Sequence, residues 1–172
     1  MNYCIEELNS NNVNFYVKVN SLAWKQTYKG IVNNHFLELI NTDEEINNSI
    51  KRTKDNINKP LDKSFLLKVN DKYVGMFRVC KSKDDNYQDI GELKSLYLLN
   101  EVKHQGYGKI LFEKAKGEIK KMGFNSMIVG CLSENTNANN FYKHMGGILI
   151  DNRDFILSKQ TLKENVYIFK EL

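Results

Sequence analysis

Ten residues in the middle of the chain, KHQGYGKILF at 103–112, combine two glycines in a G-x-G spacing with basic side chains. Glycine lets the main chain approach a ligand closely, and the start of a helix offers unpaired N–H groups and a partial positive charge. Both properties suit a phosphate or pyrophosphate, and Lys103, His104 and Lys109 add positive charge near the same turn. A tight strand-to-helix turn with solvated side chains is the alternative explanation of the glycines.

Two familiar nucleotide-binding patterns do not fit this turn. The dinucleotide fingerprint needs a third glycine, and Leu111 occupies its position. The phosphate-binding loop needs a glycine five residues before Gly108 and a hydroxyl after Lys109, but Lys103 and Ile110 stand there. The neighbouring elements must therefore decide between the interpretations.

The elements around the turn are read from hydrophobic periodicity and from turn residues. The first part of the chain predicts a strand at 3–8, a helix ending at Gly30, two further helical pieces with a start at Thr42, and a hairpin split by Asn70 and Asp71. The second part predicts strands at 89–99 and 126–132, a helix between them ending at Gly123, a short helix from Thr136, and closing strands at 147–157 and 165–172. This order predicts one mixed sheet with helices on its faces.

Composition limits the classes of protein that need to be considered. With 172 residues, 41 % hydrophobic and 27 % charged, the chain is expected to form a single soluble domain, 1–172. It has no membrane-length apolar run and no secretory signal, so we expect no membrane partner and a cytoplasmic location. The net charge of +4 is mild and unclustered, which does not favour nucleic acid.

The cysteines give no sign of a metal or disulfide framework. Cys4, Cys80 and Cys131 are widely separated and lack the spacing of zinc ligands, so we expect small core residues and no metal.

Two blocks of sequence, GELKSLYLLNEVKHQGYGKILFEKA and ENTNANNFYKHMGG, together resemble the GCN5-related N-acetyltransferase (GNAT) superfamily. The family's turn pattern, [Q/R]-x-x-G-x-[G/A], falls on 103–108, with Lys103 at a position that usually holds Gln or Arg. Its second pattern, N-x-x-A-x-x-F-Y-x-x-x-G, falls on Asn135 to Gly146. The resemblance covers residues 91–147. It implies an α/β (α+β) GNAT-like domain with a mixed, mostly antiparallel sheet of about six to seven strands and helices on both faces.

The resemblance implies that acetyl-coenzyme A is the donor, held along a strand edge by pantetheine pairing and by main-chain amides at the turn. The implied coenzyme contacts are Leu96, Tyr97, Leu98, Lys103, His104, Gln105, Gly106, Tyr107, Gly108, Lys109, Asn135, Ala138 and Tyr142. The N–H of Leu98 corresponds to the donor that polarises the thioester carbonyl. Asn135 also suits the N-cap of the helix that begins at Thr136.

The resemblance also assigns the chemistry. Glu92 corresponds to the general base that neutralises the acceptor amine, and Tyr142 corresponds to the acid that protonates the departing thiolate. On residue patterns alone, Glu92 is better explained as a solvent-facing strand glutamate, and Tyr142 has the alternative explanation of a core tyrosine packed beside Phe141. Trp24 and Tyr28 correspond to the acceptor side, and Trp24 also suits a core aromatic stripe. His104 and His144 are not expected to be catalytic.

These assignments favour an N-acetyltransferase in which a primary amine attacks the thioester directly in a ternary complex. A polyamine, an aminoglycoside, another small amine or a protein amine remains possible as the acceptor, and so does a monomer or a homodimer. One alternative is an acyl-coenzyme A sensor without catalysis. A mononucleotide-binding domain is disfavoured because no magnesium-binding hydroxyl follows Lys109.

Overall fold

A computed structural model describes residues 2–172 and shows one mixed sheet with helices on both faces, which confirms the predicted fold class. The strands within these residues are β1 (Tyr3–Glu7), β2 (Asp62–Val69), β3 (Lys72–Lys81), β4 (Gly91–Leu98), β5 (Ser126–Leu132), β6 (Ile148–Leu157) and β7 (Gln160–Lys170). Their order in the sheet is β1-β2-β3-β4-β5-β7-β6. The β4–β5 pair is parallel, and the other neighbouring pairs are antiparallel.

Five α-helices cover the sheet in the described residues: α1 (Val13–Thr27), α2 (Asn34–Leu39), α3 (Asp43–Lys54), α4 (Tyr107–Lys121) and α5 (Thr136–His144). The predicted start of α3 is confirmed, because the Thr42 hydroxyl accepts a hydrogen bond from the Glu45 amide. Three acidic residues in the first turn of α3 and three basic residues in its last turn both complement the helix dipole.

Alternate residues of the central strands point to opposite faces and build two cores. Phe65 and Phe77 pack with α4 and α5 on one face, whereas Leu66 and Met76 pack with α1 on the other. This alternation follows from the two-residue period of a strand. The sheet therefore separates a face covered by α4 and α5 from a face covered by α1 to α3.

The sequence predicted most boundaries within a few residues, and the closing hairpin is the main difference. The predicted strand at 165–172 in fact begins at Gln160, because the two-residue turn Ser158–Lys159 folds β7 back immediately onto β6. Positive φ angles at Asn70 and Asp71 confirm the other predicted hairpin.

The cysteine prediction holds for two residues out of three. Cys80 and Cys131 are buried, but Cys4 lies exposed on the edge strand β1, so its prediction as a core residue is wrong. No helix in residues 2–172 is long and apolar enough to cross a membrane.

Candidate functional site

The parallel strands β4 and β5 separate soon after they begin to pair. Their register covers two residue pairs, Gly91 with Met127 and Glu92 with Ile128, although β4 continues to Leu98. The other edge of β4 stays paired with β3 to its end. The edge of β4 that faces β5 is thus free of strand partners from Leu93 onward.

A β-bulge lies where the strands separate. Arg78 of β3 is opposite Ser95, and the next residue, Val79, is opposite Leu93, so that Lys94 is the extra residue of β4. A bulge bends its strand and increases the local twist. This geometry turns β4 away from β5 and opens the sheet.

A cavity of about 930 Å³ occupies the opening. Residues 93–98 of β4 form one wall, and Gly130 and Cys131 of β5 form part of the opposite wall. The turn before α4, the side of α5 and the end of α1 complete the lining. The cavity is therefore bordered by an unpaired strand edge and by the glycine turn.

At Gly106 and Gly108 the glycine turn presents main chain to the cavity. Gly106 has φ +86°, and a Cβ built there would meet no atom within 4 Å. His104 also adopts a positive φ. No side chain caps the start of α4, and a helix leaves its first amides without intrahelical partners. This combination forms a cradle of main-chain groups that opens into the cavity and has the geometry to hold an anion.

Basic side chains surround the cradle. Lys103, His104 and Lys109 line the cavity together with Gly106 and Gly108, and burial lowers the pKa of Lys103. A phosphate placed at this turn would meet both the helix dipole and positive side chains.

Two residues of the turn direct their side chains elsewhere. The side-chain amide of Gln105 donates to the Glu101 carbonyl at 3.0 Å. The Tyr107 ring is buried, and its centroid lies 5.8 Å from that of the Tyr3 ring. Neither belongs to the cavity lining. A Cβ at Gly108 would make an ordinary 3.5 Å contact with Phe141, so alanine fits this position sterically.

Tyr142 lies on α5 and lines the cavity although its side chain is buried. Its ring packs against Phe112, Phe141 and Tyr167. Its hydroxyl makes no hydrogen bond to any residue of 2–172, whereas the Tyr167 hydroxyl donates to Asn139 at 2.8 Å. Burial raises the pKa of Tyr142. The site thus holds a protonated phenol that is available to a ligand.

Asn135 and Ala138 place α5 against the cavity. The Asn135 side chain accepts from the Ala138 amide at 3.2 Å, which confirms the predicted N-cap, and both residues line the cavity. Asn139, which the sequence did not single out, donates to the Leu132 carbonyl and accepts from Tyr167 and Asn165. Asn139 therefore fixes α5 to β5 and β7.

Glu92 lies immediately before the part of β4 that lines the cavity. Its neighbour Gly91 packs against Ile119 of α4, so Glu92 points to the opposite face, where it approaches Cys80. Its side chain is 12 % exposed, and Oε1 lies 3.0 Å from Lys94 Nζ. Glu92 itself is not among the lining residues, but Lys94 is.

Aromatic side chains cover the face of β4 to which Glu92 points. The hydroxyls of Tyr28 and Tyr97 are 3.0 Å apart, and both residues line the cavity. Burial raises the pKa of Tyr28 to about 12 and that of Tyr97 well above its ordinary value. The ring of Trp24 is tilted against that of Tyr28, with the centroids 4.7 Å apart, and Trp24 does not line the cavity.

The structure contains no metal-binding grouping of three His, Cys, Asp or Glu residues within 2–172.

The site was compared with known proteins at the level of the whole chain. The sequence matches the model of the Acetyltransferase (GNAT) family over residues 31–146. The chain belongs to the GNAT acetyltransferase family. The match covers more than half of the chain and includes the turn, α4 and all of α5. No curated protein sequence matches the chain significantly.

Solved structures of acetyltransferases share the GNAT fold along nearly the whole chain. The PaiA N-acetyltransferase of Thermoplasma acidophilum, solved with coenzyme A, is 23 % identical with a TM-score of 0.70, covering 95 % of this chain and 98 % of that one. A probable acetyltransferase of Staphylococcus epidermidis is 14 % identical with a TM-score of 0.74, covering 99 % and 100 %. The putative acetyltransferase YncA of Salmonella typhimurium, solved with acetyl-coenzyme A, is 12 % identical with a TM-score of 0.73, covering 98 % and 93 %.

The cavity is also lined by residues that the sequence did not single out as site residues. Asn137, Phe141 and His144 line it from α5, at spacings that put them on one helical side. Helical periodicity through the second motif would have found them. Gly130 and Cys131 line it from β5, and no local pattern marks them, because only the separation of β4 from β5 exposes them.

Proposed function

We propose that this chain is an acetyl-coenzyme A-dependent N-acetyltransferase that transfers the acetyl group to a primary amine of a small molecule or of a protein. The observation that carries the proposal is the free edge of β4 at Leu96 to Leu98, which is followed, after one short 3-10 helix at Asn100–Val102, by the glycine turn. An unpaired edge can accept a pantetheine arm in the manner of an added strand, and the turn can hold a pyrophosphate. Two structures with this fold contain coenzyme A or acetyl-coenzyme A.

The residues around the cavity meet the demands of acyl transfer. The donor supplies an acetyl thioester, and the amine nitrogen forms a bond to its carbonyl carbon as the carbon–sulfur bond breaks. The N–H of Leu98 stabilises charge on the carbonyl oxygen. The hydroxyl of Tyr142 gives its proton to the leaving sulfur, and its raised pKa keeps that proton in place until the thiolate forms.

Glu92 receives the proton of the acceptor amine through water. A lysine-like amine has a pKa near 10.4, so holding it neutral at pH 7 costs about 4–5 kcal/mol, which a positioned carboxylate helps to offset. Glu92 is mostly buried, outside the lining and next to Leu93, which is part of the lining. A bridging water fits this arrangement better than direct contact.

The second candidate function is an acyl-coenzyme A-binding module without catalysis. The observation that favours it is the ion pair between Glu92 and Lys94, which occupies the carboxylate proposed as the base. Both candidates require coenzyme binding, and they differ in turnover.

Release of free thiol from acetyl-coenzyme A, measured with a panel of primary amines, tests the proposal. We expect amine-dependent release, and a loss of about a hundredfold in kcat/KM for Glu92→Gln. The control is Glu118→Gln, which removes another carboxylate that is ion-paired with lysines but lies on α4 away from the cavity. Tight coenzyme binding without turnover of any amine would support the second candidate. Unchanged turnover in Glu92→Gln would refute the role of Glu92.

A further inference from the structure

The acceptor end of the cavity carries a charge pattern that restricts the acceptor. The charged and potentially charged basic residues of the lining are Lys94, Lys103, His104, Lys109 and His144, and no Asp or Glu of residues 2–172 lines it. Three of these belong to the glycine turn and the start of α4. Lys94 lies at the other end of the lined segment, four residues or about 13 Å of strand from Leu98.

The carboxylates near this end already have partners. Glu164, directly behind Gly130, accepts from Arg153 Nε at 2.9 Å, and Asp84 pairs with the same guanidinium. Glu92 pairs with Lys94. A polycationic acceptor would therefore find no unpaired carboxylate for its additional ammonium groups, and each would face Lys94.

An acceptor with one amine and one anionic group would find a partner for each of its two charges. Its ammonium can replace the Lys94 ammonium as the partner of Glu92, through the proposed bridging water, and its anion can pair with the released Lys94 ammonium, so that two ion pairs replace one. Lys94 is suited to this exchange because 56 % of its side chain is exposed, whereas Glu92 is nearly buried. The swap also delivers the amine to the proposed base.

We infer that the acceptor is an amine whose other end is anionic, an aminocarboxylate or a similar zwitterion, and that Lys94 recognises the anion. This inference rests on the proposed function, because it places the acceptor at the acetyl end of the same cavity. It excludes polyamines and aminoglycosides as preferred acceptors.

Amines of equal chain length that differ at the far end test the inference. We compare 6-aminohexanoate, n-hexylamine and 1,6-diaminohexane, together with the four-carbon set 4-aminobutanoate, n-butylamine and 1,4-diaminobutane. We expect kcat/KM to be highest for the aminocarboxylate, lower for the alkylamine and lowest for the diamine. In the set whose chain length matches the site, the aminocarboxylate and the diamine should differ about tenfold. A wild-type preference for the diamine would overturn the inference.

Variants of Lys94 separate recognition of the anion from the chemical step. Lys94→Gln should bring the carboxylate-to-diamine ratio close to one, and Lys94→Glu should reverse it. A ratio is used because any effect on Glu92 applies to all acceptors alike. Lys18→Gln, at an exposed position of α1 outside the lining, should keep the wild-type ratio. An unchanged ratio in Lys94→Gln would contradict the role of Lys94.

Binding measurements test the acceptor preference even if the proposed acetyl transfer does not occur. If thiol release occurs with no amine, calorimetry of 6-aminohexanoate and 1,6-diaminohexane against the coenzyme A-loaded protein still ranks the two classes. Tighter binding of the aminocarboxylate would support the inference even though catalysis had failed. Equal or tighter binding of the diamine would overturn it.

Discussion

We propose that the cavity lies between two regions that bind their ligands by different means. The donor half consists of β4, β5, the glycine turn, α4 and α5, and it offers a strand edge, helix amides and a glycine at positive φ. The second region, proposed for the acceptor and called the acceptor half, consists of the end of α1, the loop that follows Tyr28 and the β6–β7 turn that is hydrogen-bonded to that loop, and it offers side chains from distant segments. Tyr28 and Tyr97 are 69 residues apart, and Gln160 and Asn33 are 127 apart. A short sequence motif can specify a site made of main-chain groups, but it cannot specify a site made of side chains from distant segments.

The largest effect that distinguishes the halves is expected at Tyr142. Tyr142→Phe removes the proposed acid and should lower kcat about a hundredfold, while the dissociation constant for coenzyme A stays within about twofold. The deficit should be constant up to about pH 10, because burial raises the pKa of Tyr142 above its ordinary value of 10.0 and keeps the wild-type hydroxyl protonated. Steady-state kinetics from pH 7 upward, with calorimetry of coenzyme A, measure both quantities.

Tyr167→Phe is the matched control. It removes the hydroxyl of a neighbouring buried tyrosine that donates to Asn139, so it should cost about 1 kcal/mol in the free energy of unfolding and leave kcat unchanged. Tyr142→Phe should cost less stability, because its hydroxyl has no hydrogen-bond partner among residues 2–172. Equal loss of kcat in both variants would mean that packing, not proton donation, explains the effect.

A smaller effect, confined to donor binding, is expected at Gly106. Gly106→Ala places a Cβ in the open cradle at φ +86° and should weaken coenzyme A binding about tenfold, measured by calorimetry. Gly123→Ala supplies the same backbone strain, at φ +92° beyond the far end of α4, with no atom within 4 Å of the added Cβ. Both variants should lose about 1–2 kcal/mol of stability. If Gly123→Ala weakened coenzyme binding equally, general destabilisation would account for the result.

The smallest effect is expected in the acceptor half at Gln160. Its side chain accepts from the Asn33 amide and donates to the Ile31 carbonyl, both at 3.0 Å, and so ties the β6–β7 turn to the loop that follows Tyr28. Gln160→Ala should raise the acceptor KM about threefold without changing the KM for acetyl-coenzyme A.

Asn12→Ala gives the comparison for Gln160. Asn12 also makes two side-chain hydrogen bonds to main chain, with Asn9 and Glu7, but it lies at the β1–α1 connection, away from the loop that follows Tyr28. It should lose stability with both KM values unchanged. A rise in the coenzyme KM of Gln160→Ala would show that the two halves are not independent.

Sequence predicted the donor half more completely than the acceptor half, for physical reasons. The turn at Gly106, the N-cap at Asn135 and strand 126–132 are local features, and local patterns predicted them. The contribution of Cys131 to the lining could not be predicted, because it depends on where two distant strands stop pairing. The Glu92–Lys94 ion pair depends on a bulge, and the start of β7 at Gln160 depends on a polar edge hairpin.

Hydrogen exchange with and without coenzyme A tests the central claim, that the ligand lies along the free edge of β4 and on the glycine turn. The experiment compares amide exchange across the full chain, with ATP as the second ligand. We expect coenzyme A to slow exchange in 96–98 and 106–109 and ATP to leave the β4 segment unchanged. Protection by coenzyme A elsewhere with none at β4, or equal protection of β4 by ATP, would show that coenzyme A does not lie along this strand edge in a specific way.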